Sequence, residues 1–455
     1  MTGMDNYHLK IIGGGLAGSE AAWQAAQRGV KVMLYEMRPV HTTGAHQSGD
    51  LAELVCSNSL GSMQKDRGSG LLINELMKLD SFLIKVALES KVPAGSALAV
   101  DRDQFSERIS AILAVHPNIT MIREEVKEIP EGPCIIASGP LTSPSLADSI
   151  KVFTGLDGLF FFDAIAPIVS GESIDRSIVF RASRYERGDQ EEGDYLNCPF
   201  DQGEYMAFVS ELASAEKVAI RVFEAEIPDG VKAGKGIFFE RCLPVEVIAS
   251  RGEKALAFGP MRPVGLTDPR TGRWPYAVVQ LRQEDIAENL FNLVGFQTNL
   301  AYSEQKRVFR LIPGLKNAEF IRYGQMHRNT FICSPGILRA SLQTIQRPDL
   351  FFAGQITGVE GYAGNIATGL LAGVNAVRFL NGQELLTFPE DTMIGSILKY
   401  ISSADPALFQ PMKANFGILP KLETTKKIQK RQRYEQLADR ALERIDEIKI
   451  EFGHE

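Results

Sequence analysis

Three glycines and one carboxylate near the N-terminus have the spacing of a phosphate-binding turn. Residues 10–18 read KIIGGGLAG, so an apolar strand runs into Gly13, Gly15 and Gly18. In this pattern the first glycine permits a tight turn, the second lets a pyrophosphate approach the backbone, and the third lets a helix pack closely on the strand. Glu36 ends the next apolar run, where a carboxylate accepts hydrogen bonds from a ribose diol and repels an extra phosphate. The segment predicts a βαβ unit that binds FAD or NAD in preference to NADP, through Gly13, Gly14, Gly15, Leu16, Ala17, Gly18 and Glu36.

Cysteine is the residue type in this chain with the strongest nucleophilic chemistry. The five cysteines are Cys56, Cys134, Cys198, Cys242 and Cys333. Their number is odd and none forms a CxxC pair, which argues against a disulfide framework and a zinc ribbon. We therefore expect no metal site, and we expect any functional cysteine to act as a thiol. Such a thiol needs a cationic or hydrogen-bonding neighbourhood, because an unperturbed cysteine has a pKa of about 8.5.

Two later segments look like strands of the same nucleotide-binding sheet. Residues 131–140 (EGPCIIASGP) and 349–355 (DLFFAGQ) are apolar runs that end on small residues. The long segment between them is broken by Gly and Pro into short β-like runs, which indicates an inserted α+β domain. We predict an α/β protein with a discontinuous Rossmann-like domain at residues 1–150 and 331–400, an insert at 151–330, and C-terminal helices at 401–455.

Composition and charge narrow the class of protein. The 455 residues are 44% hydrophobic and 23% charged, as in ordinary globular proteins. No apolar run approaches the about 18 residues of a membrane span, and the first strand begins too early for a signal peptide, so we expect a cytoplasmic protein without a membrane partner. The net charge of −7 leaves nucleic acid binding to local basic patches, of which residues 421–433 are the clearest.

Short strings spread over nearly the whole chain match one known family. They are EMRP at 36–39, ELVCSNSL at 53–60, AVDRD at 99–103, ASGP at 137–140, NCP at 197–199, FERCLPVE at 239–246, FGPMRPVG at 258–265, NLVGFQT at 292–298 and AGQITGVEGY at 353–362. Together they resemble the folate- and FAD-dependent tRNA (uracil-5-)-methyltransferases. One departure is Arg241, where a glycine usually stands. A related flavoprotein that modifies wobble uridine shares the opening glycines and the AGQI string.

The resemblance implies an FAD-binding domain of the glutathione-reductase type and a specific reaction. The expected enzyme makes 5-methyluridine in the T-loop of tRNA, with 5,10-methylenetetrahydrofolate as the one-carbon donor and FAD reduced by NADPH or NADH. Cys242 is the first choice for the thiol that adds to carbon 6 of the uracil. The neighbouring residues make Arg241 the candidate activating charge and Glu240 or Glu246 the candidate proton carrier. Cys56 is expected beside the flavin or as an alternate thiol.

The resemblance also implies contacts with the cofactor, the folate and the RNA. Gln355 is expected near the ribityl chain, and the helix that starts near Gly364 is expected at the pyrimidine end of the flavin. Tyr362 and His327 are candidates to stack on a pterin. The RNA contacts expected are Arg181, Arg184, Arg187, Arg282 and the run 421–433. The oligomeric state stays open.

Three other classes of protein remain at this point. One is a different flavin enzyme, either the wobble-uridine enzyme or an ordinary FAD oxidoreductase, which would need no thiol at Cys242. Another is a binding protein that keeps the architecture without a cofactor. The third is an S-adenosylmethionine methyltransferase, which the second strand–loop–helix block at 349–380 disfavours.

Overall fold

The computed structural model describes residues 8–43, 45–155, 159–184, 193–218, 243–422 and 429–449, without the side chains of 159–164 and 326–328. Its strands are β1 (His8–Ile12), β2 (Lys31–Tyr35), β3 (Ser59–Ser62), β4 (Lys91–Val92), β5 (Ala97–Val100), β6 (Ile119–Ile122), β7 (Cys134–Ile136), β8 (Leu159–Ala164), β9 (Ile168–Ser170), β10 (Phe180–Ala182), β11 (Tyr195–Phe200), β12 (Ala277–Gln283), β13 (Leu290–Leu293), β14 (Phe320–Arg322), β15 (Met326–Phe331), β16 (Leu350–Phe352), β17 (Val359–Glu360) and β18 (Met412–Lys413). Its α-helices are α1 (Leu16–Gln27), α2 (Gly68–Lys78), α3 (Phe82–Glu89), α4 (Arg102–Ala114), α5 (Pro144–Thr154), α6 (Gln202–Ser214), α7 (Val245–Ala249), α8 (Ala255–Phe258), α9 (Tyr302–Phe309), α10 (Tyr362–Leu380), α11 (Met393–Ser403) and α12 (Lys430–Lys449).

A parallel sheet in the order β16–β7–β1–β2–β6 forms the nucleotide-binding unit. Both Lys10 of β1 and Leu350 of β16 are register partners of Cys134 in β7. The predicted strands at 131–140 and 349–355 are therefore neighbours in the sheet that the N-terminus begins. The prediction of a Rossmann-like α/β fold built from separate chain segments is confirmed.

Helices α1 and α10 pack against each other at glycine positions. A Cβ on Gly369 would lie 2.2 Å from the carbonyl oxygen of Ala17, and one on Gly373 would lie 2.6 Å from that of Ala21. Both helices belong to the main hydrophobic core, which covers one face of the parallel sheet. Because α1 follows β1 and α10 follows β16, this contact joins the two distant parts of the domain.

The inserted segment has a sheet and a core of its own. Its antiparallel sheet has the order β10–β11–β12–β13–β9–β14, and residues on one face of it, including Leu196, Val279 and Leu281, pack in a separate cluster with α6, α7 and α9. Strands β8 and β15 pair antiparallel, so the chain enters and leaves the insert side by side. The domain boundaries near 150, 330 and 400 stay predictions, and the separate cores support those near 150 and 330.

The C-terminal helix α12 lies on the nucleotide-binding unit. Its buried face, with Leu437, Ala441 and Ile445, joins the main core, and Lys78 of α2 forms an ion pair with Asp446. Residues 423–428 of the basic run lie outside the described residues. Among the described helices, none combines the length and apolar character needed to cross a bilayer.

The contact between α1 and α10 leads to a stability prediction. Gly369→Ala should reduce the free energy of unfolding by about 2 kcal/mol or more, because the added methyl forces the two helices apart in a packed core. Gly203→Ala is the control: Gly203 lies in the first turn of α6 with only Asp201 within 4 Å. That substitution should be neutral or stabilising by up to about 1 kcal/mol. Denaturant unfolding measures both, and equal stabilities of the two variants would contradict the prediction.

Candidate cofactor cleft and thiol cavity

The glycine turn between β1 and α1 forms the floor of a cleft. Gly13 has a φ of +103°, and a Cβ there would lie 2.6 Å from the carbonyl oxygen of Ala137. A Cβ on Gly18 would lie 1.8 Å from the oxygen of Gly13, whereas nothing lies within 4 Å of a Cβ on Gly15. Gly15 is the N-cap of α1 and faces open space, so the helix N-terminus is free to meet an anion.

The cleft wall carries a fixed negative charge at Glu36. Its side chain is 6% exposed, and its oxygens accept hydrogen bonds from the backbone N–H of Gly14 at 3.0 Å and from Nε of Arg38 at 2.9 Å. Burial disfavours the carboxylate, but the hydrogen bonds and charge of Arg38 outweigh burial and lower the pKa of Glu36. Arg38 is buried too and also pairs with Glu53. Sequence reasoning missed Arg38, although it lies in the EMRP string.

Two cavities meet at Gln355 and Tyr362, whose side chains line both. The first is the cleft, whose lining includes Gly13, Gly15, Leu16, Ala17, Glu36, Arg38, Ala137, Ser138, Gly139, Pro140 and Asn365. The second includes Cys56, Ser57, Gly61, Gly68, Ser69, Glu360, Gly364 and Lys413. The structure therefore places Cys56 in a cavity that adjoins the nucleotide cleft.

The start of α10 forms the junction between the cavities. Gln355 lies in a 3₁₀ turn, and its amide donates to Oε1 of Glu360 at 2.8 Å. Gly364 has no room for a side chain, because a Cβ would lie 2.5 Å from Val359 Cγ1. Oδ1 of Asn365 is buried without a hydrogen-bond partner, which leaves an acceptor facing the cleft region. Gln355 lines both cavities and Gly364 lines the second, and the cofactor contacts expected of both stay predictions.

The hydroxyl of Tyr362 contacts the loop that carries Cys56. Its hydroxyl oxygen accepts hydrogen bonds from the backbone N–H groups of Cys56 at 2.9 Å and Ser57 at 3.1 Å. Burial raises the pKa of this hydroxyl well above its usual range. Tyr362 thus holds the backbone of the thiol loop, and its proposed stacking on a pterin stays a prediction.

Several predicted site residues lie outside the described residues, and one lies away from the two cavities. Cys242, Arg241, Glu240 and Arg187 lie outside the described residues, as does the side chain of His327. Glu246 is buried, and its carboxylate accepts from the Thr298 hydroxyl and the Asn299 backbone, so it caps a turn in the insert. It lines neither of the two cavities.

The arginines expected at the RNA are engaged within the protein. Arg181 pairs with Glu288 at 2.5 Å, and Arg184 donates to the Gln280 side chain at 2.9 Å. Arg282 donates to Oγ of Ser57 at 2.7 Å. Arg181 and Arg184 are partly exposed and Arg282 is buried, and the RNA contacts of all three stay predictions.

Three other cysteines lie apart from the two cavities. Cys134 and Cys198 are fully buried in β7 and β11, where burial raises the pKa of the Cys134 thiol to about 12 and that of Cys198 further. Cys333 is half-buried, and burial raises its pKa as well. Within the residues that the structure describes, no cluster of His, Cys, Asp or Glu has the arrangement of a metal site.

The fold and the glycine-floored cleft define a dinucleotide-binding protein of the GidA type. Residues 8–384 match the family described as glucose inhibited division protein A. The structure superposes on Aquifex aeolicus GidA with a TM-score of 0.69 at 16% identity, covering 99% of this chain and 74% of that one.

Curated relatives narrow the family further. The chain is 54% identical to the methylenetetrahydrofolate–tRNA-(uracil-5-)-methyltransferase TrmFO of an Exiguobacterium species, over 97% of this chain and 98% of the relative. It is 56% identical to the protein of the same name from Pelotomaculum thermopropionicum, with the same coverage. The chain belongs to this family of folate-dependent tRNA methyltransferases.

The different burial of the cysteines predicts selective labelling. At pH 8 iodoacetamide should modify Cys56, while Cys134 and Cys198 stay unmodified, because a thiol with a raised pKa is protonated below that pKa and the reagent cannot reach the core. Peptide mass spectrometry of the native protein measures each site. Labelling after denaturation is the control and should reach all of them. Equal native labelling of Cys56 and Cys134 would contradict the assigned positions.

Proposed function

We infer that this protein makes 5-methyluridine in the T-loop of tRNA, with 5,10-methylenetetrahydrofolate as the one-carbon donor and FAD as cofactor. Family membership at 54–56% identity over nearly the full length supports the reaction. The observation that carries the proposal is the position of Cys56, a thiol in a cavity that shares Gln355 and Tyr362 with the nucleotide cleft. A thiol beside a flavin site is what one-carbon transfer to a uracil requires.

The residues of the cleft fit FAD. The open N-terminus of α1 at Gly15 suits the pyrophosphate, and Glu36 suits the ribose of the adenosine half. The orphaned Oδ1 of Asn365 and the amide of Gln355 suit the polar ribityl chain and ring edge. When bound, FAD supplies the electrons that reduce the transferred carbon to a methyl group. NADPH or NADH is the proposed source of those electrons.

Two thiols divide the remaining chemistry in this proposal. Carbon 5 of uracil is a weak nucleophile, and thiolate addition to carbon 6 makes it nucleophilic enough to attack an electrophilic methylene. Cys242 is the proposed nucleophile, as the family resemblance implies. Cys56 is proposed to act beside the flavin or as an alternate thiol, in a cavity whose walls carry Glu360 and Lys413 as charged groups.

The tRNA and the folate approach the thiol cavity in this proposal. The target base lies within a folded loop, so it must be extruded before a thiol can reach carbon 6. The overall negative charge of the protein makes that binding depend on local cationic groups. A cytoplasmic location fits these substrates and stays a prediction.

The two cysteines supply the main functional test. Purified yellow protein given unmodified tRNA, methylenetetrahydrofolate and NADPH should yield 5-methyluridine, measured by nucleoside mass spectrometry. S-adenosylmethionine in place of the folate should yield none. Cys56→Ala and Cys242→Ala should each lower the rate at least about a hundredfold, because removal of a covalent catalyst abolishes its step.

The matched control is Cys333→Ala, which removes the same side chain outside both cavities. It should retain the wild-type rate within about twofold, as expected of a residue that takes no part in the chemistry. Product formed with S-adenosylmethionine alone would contradict the proposed donor. Full activity of both Cys56→Ala and Cys242→Ala would contradict the proposed roles of the two thiols. A wild-type protein that binds FAD but forms no 5-methyluridine would favour an FAD oxidoreductase of another kind.

A further inference from the structure

Every residue of the loop from Leu54 to Asn58 forms a hydrogen bond with a distant part of the chain. The contacts are Arg102 Nη1 to Leu54 O (2.5 Å), Arg322 Nη2 to Val55 O (2.8 Å), the N–H groups of Cys56 and Ser57 to Tyr362 Oη (2.9 and 3.1 Å), Arg282 Nη2 to Ser57 Oγ (2.7 Å), and Asn58 Nδ2 to Val100 O (3.0 Å) and Gln283 O (2.9 Å). A five-residue loop with this many external contacts has little freedom to move independently.

The contacts come from both structural units. Arg102 and Tyr362 belong to the nucleotide-binding unit, whereas Arg282, Gln283 and Arg322 belong to the insert. The amide of Asn58 bridges the two, since it donates to a carbonyl in each. The loop that carries Cys56 therefore connects the two units. Its position depends on where the insert lies relative to the nucleotide-binding unit.

An ion pair between Arg102 and Glu284 also connects the two units. The side chain of Glu284 is 3% exposed and that of Arg102 is 13% exposed. Nε and Nη2 of Arg102 both donate to the Glu284 carboxylate, while Nη1 donates to Leu54 O and Nη2 also reaches Cys56 O at 3.4 Å. The guanidinium is planar and rigid. The Glu284 carboxylate, by binding one edge of it, therefore also orients the N–H groups that donate to Leu54 O and Cys56 O.

The same pair balances charge next to the thiol. Burial disfavours the Arg102 cation, but Glu284, with smaller contributions from Tyr362 and Cys56, raises the pKa of Arg102 above its usual range. Arg322 also interacts electrostatically with Cys56. Burial and the nearby charge of Arg102 lower the pKa of Arg322. In the part of the chain that the structure describes, the charged or titratable groups around the Cys56 loop include Arg102, Arg282, Glu284, Arg322, Glu360, Tyr362 and Lys413.

We propose that Arg102 and Glu284 act together as the positioning pair for the Cys56 thiol. Glu284, which the insert contributes, orients the guanidinium that holds the thiol loop and neutralises its charge. The position of the insert thereby determines both where the Cys56 thiol lies and how reactive it is. The proposal rests on the role for Cys56 given above, but its first test requires no methyl transfer.

Glu284→Gln tests the charge balance. The amide has nearly the same shape as the carboxylate and leaves Arg102 charged and uncompensated, which favours the thiolate at Cys56. In a plot of Cys56 alkylation rate against pH, the half-rate pH should fall by about one unit, the effect of a nearby positive charge at a few ångströms. Peptide mass spectrometry isolates the Cys56 signal from the other thiols.

Asp349→Asn is the matched control for that measurement. Asp349 forms a comparable pair with Arg347 at 2.9 Å, at the start of β16 and outside both cavities. The control should leave the half-rate pH of Cys56 unchanged. A half-rate pH that does not move in Glu284→Gln, or that moves equally in Asp349→Asn, overturns the proposal.

Arg102→Lys separates position from charge. Lysine keeps the positive charge, but its ammonium cannot contact Glu284, Leu54 O and Cys56 O with one rigid fork. The half-rate pH should stay near that of the wild type, while kcat for 5-methyluridine formation should fall at least about tenfold, as expected of a misplaced catalytic group. The KM values for tRNA and folate should change little.

Different results would refute the positioning pair and the proposed methyl-transfer reaction. Wild-type kcat in Arg102→Lys overturns the positioning role. A wild-type protein that forms no 5-methyluridine refutes the proposed reaction, while the alkylation profiles still test the pair. Circular dichroism and FAD absorbance verify that each variant is folded and loaded, and if Arg102→Lys fails this criterion, Glu284→Gln decides the proposal alone.

Discussion

The close approach of α1 and α10 is the constraint on which the rest of the structure depends. Gly369 and Gly373 lie directly against the backbone of α1, at distances that exclude even a methyl group. This contact fixes two chain segments, separated by the whole insert, on one face of the parallel sheet. Since α1 begins at the glycine turn and α10 begins at Tyr362, the same contact brings the nucleotide cleft and the thiol cavity together.

Electrostatics then decides how the two cavities differ. The cleft contains a carboxylate, Glu36, that is held by Arg38, and three further glutamates line it, so its polar wall is acidic. The loop that carries Cys56 accepts hydrogen bonds from three arginines, Arg102, Arg282 and Arg322, and Glu284 from the insert pairs with Arg102. Buried ion pairs of this kind are costly in desolvation and contribute orientation more than stability. Both pairs therefore fit a role in placing groups for ligand and substrate.

Much of the nucleotide-binding unit was predictable from short-range patterns. Glycine spacing reports backbone geometry directly, because only glycine tolerates the turn at Gly13 and the contact at Gly18. Continuous apolar runs revealed β7 and β16 as buried parallel strands. For the insert only the α+β class was predictable and not the strand order, since its short strands pair across long sequence separations. Charge patterns did not predict the internal partners of the arginines, such as Glu288 for Arg181 and Ser57 for Arg282.

The sequence by itself determined the glycine turn, the parallel sheet and the family to which the chain belongs, because each depends on residue type at fixed local spacing. Only the tertiary structure decided that Tyr362 holds the backbone of the Cys56 loop and that Glu284 pairs with Arg102. Those partners lie 306 and 182 residues apart in the chain. Hydrogen bonds over such separations leave no periodic pattern, so their geometry exists only once both cores have formed.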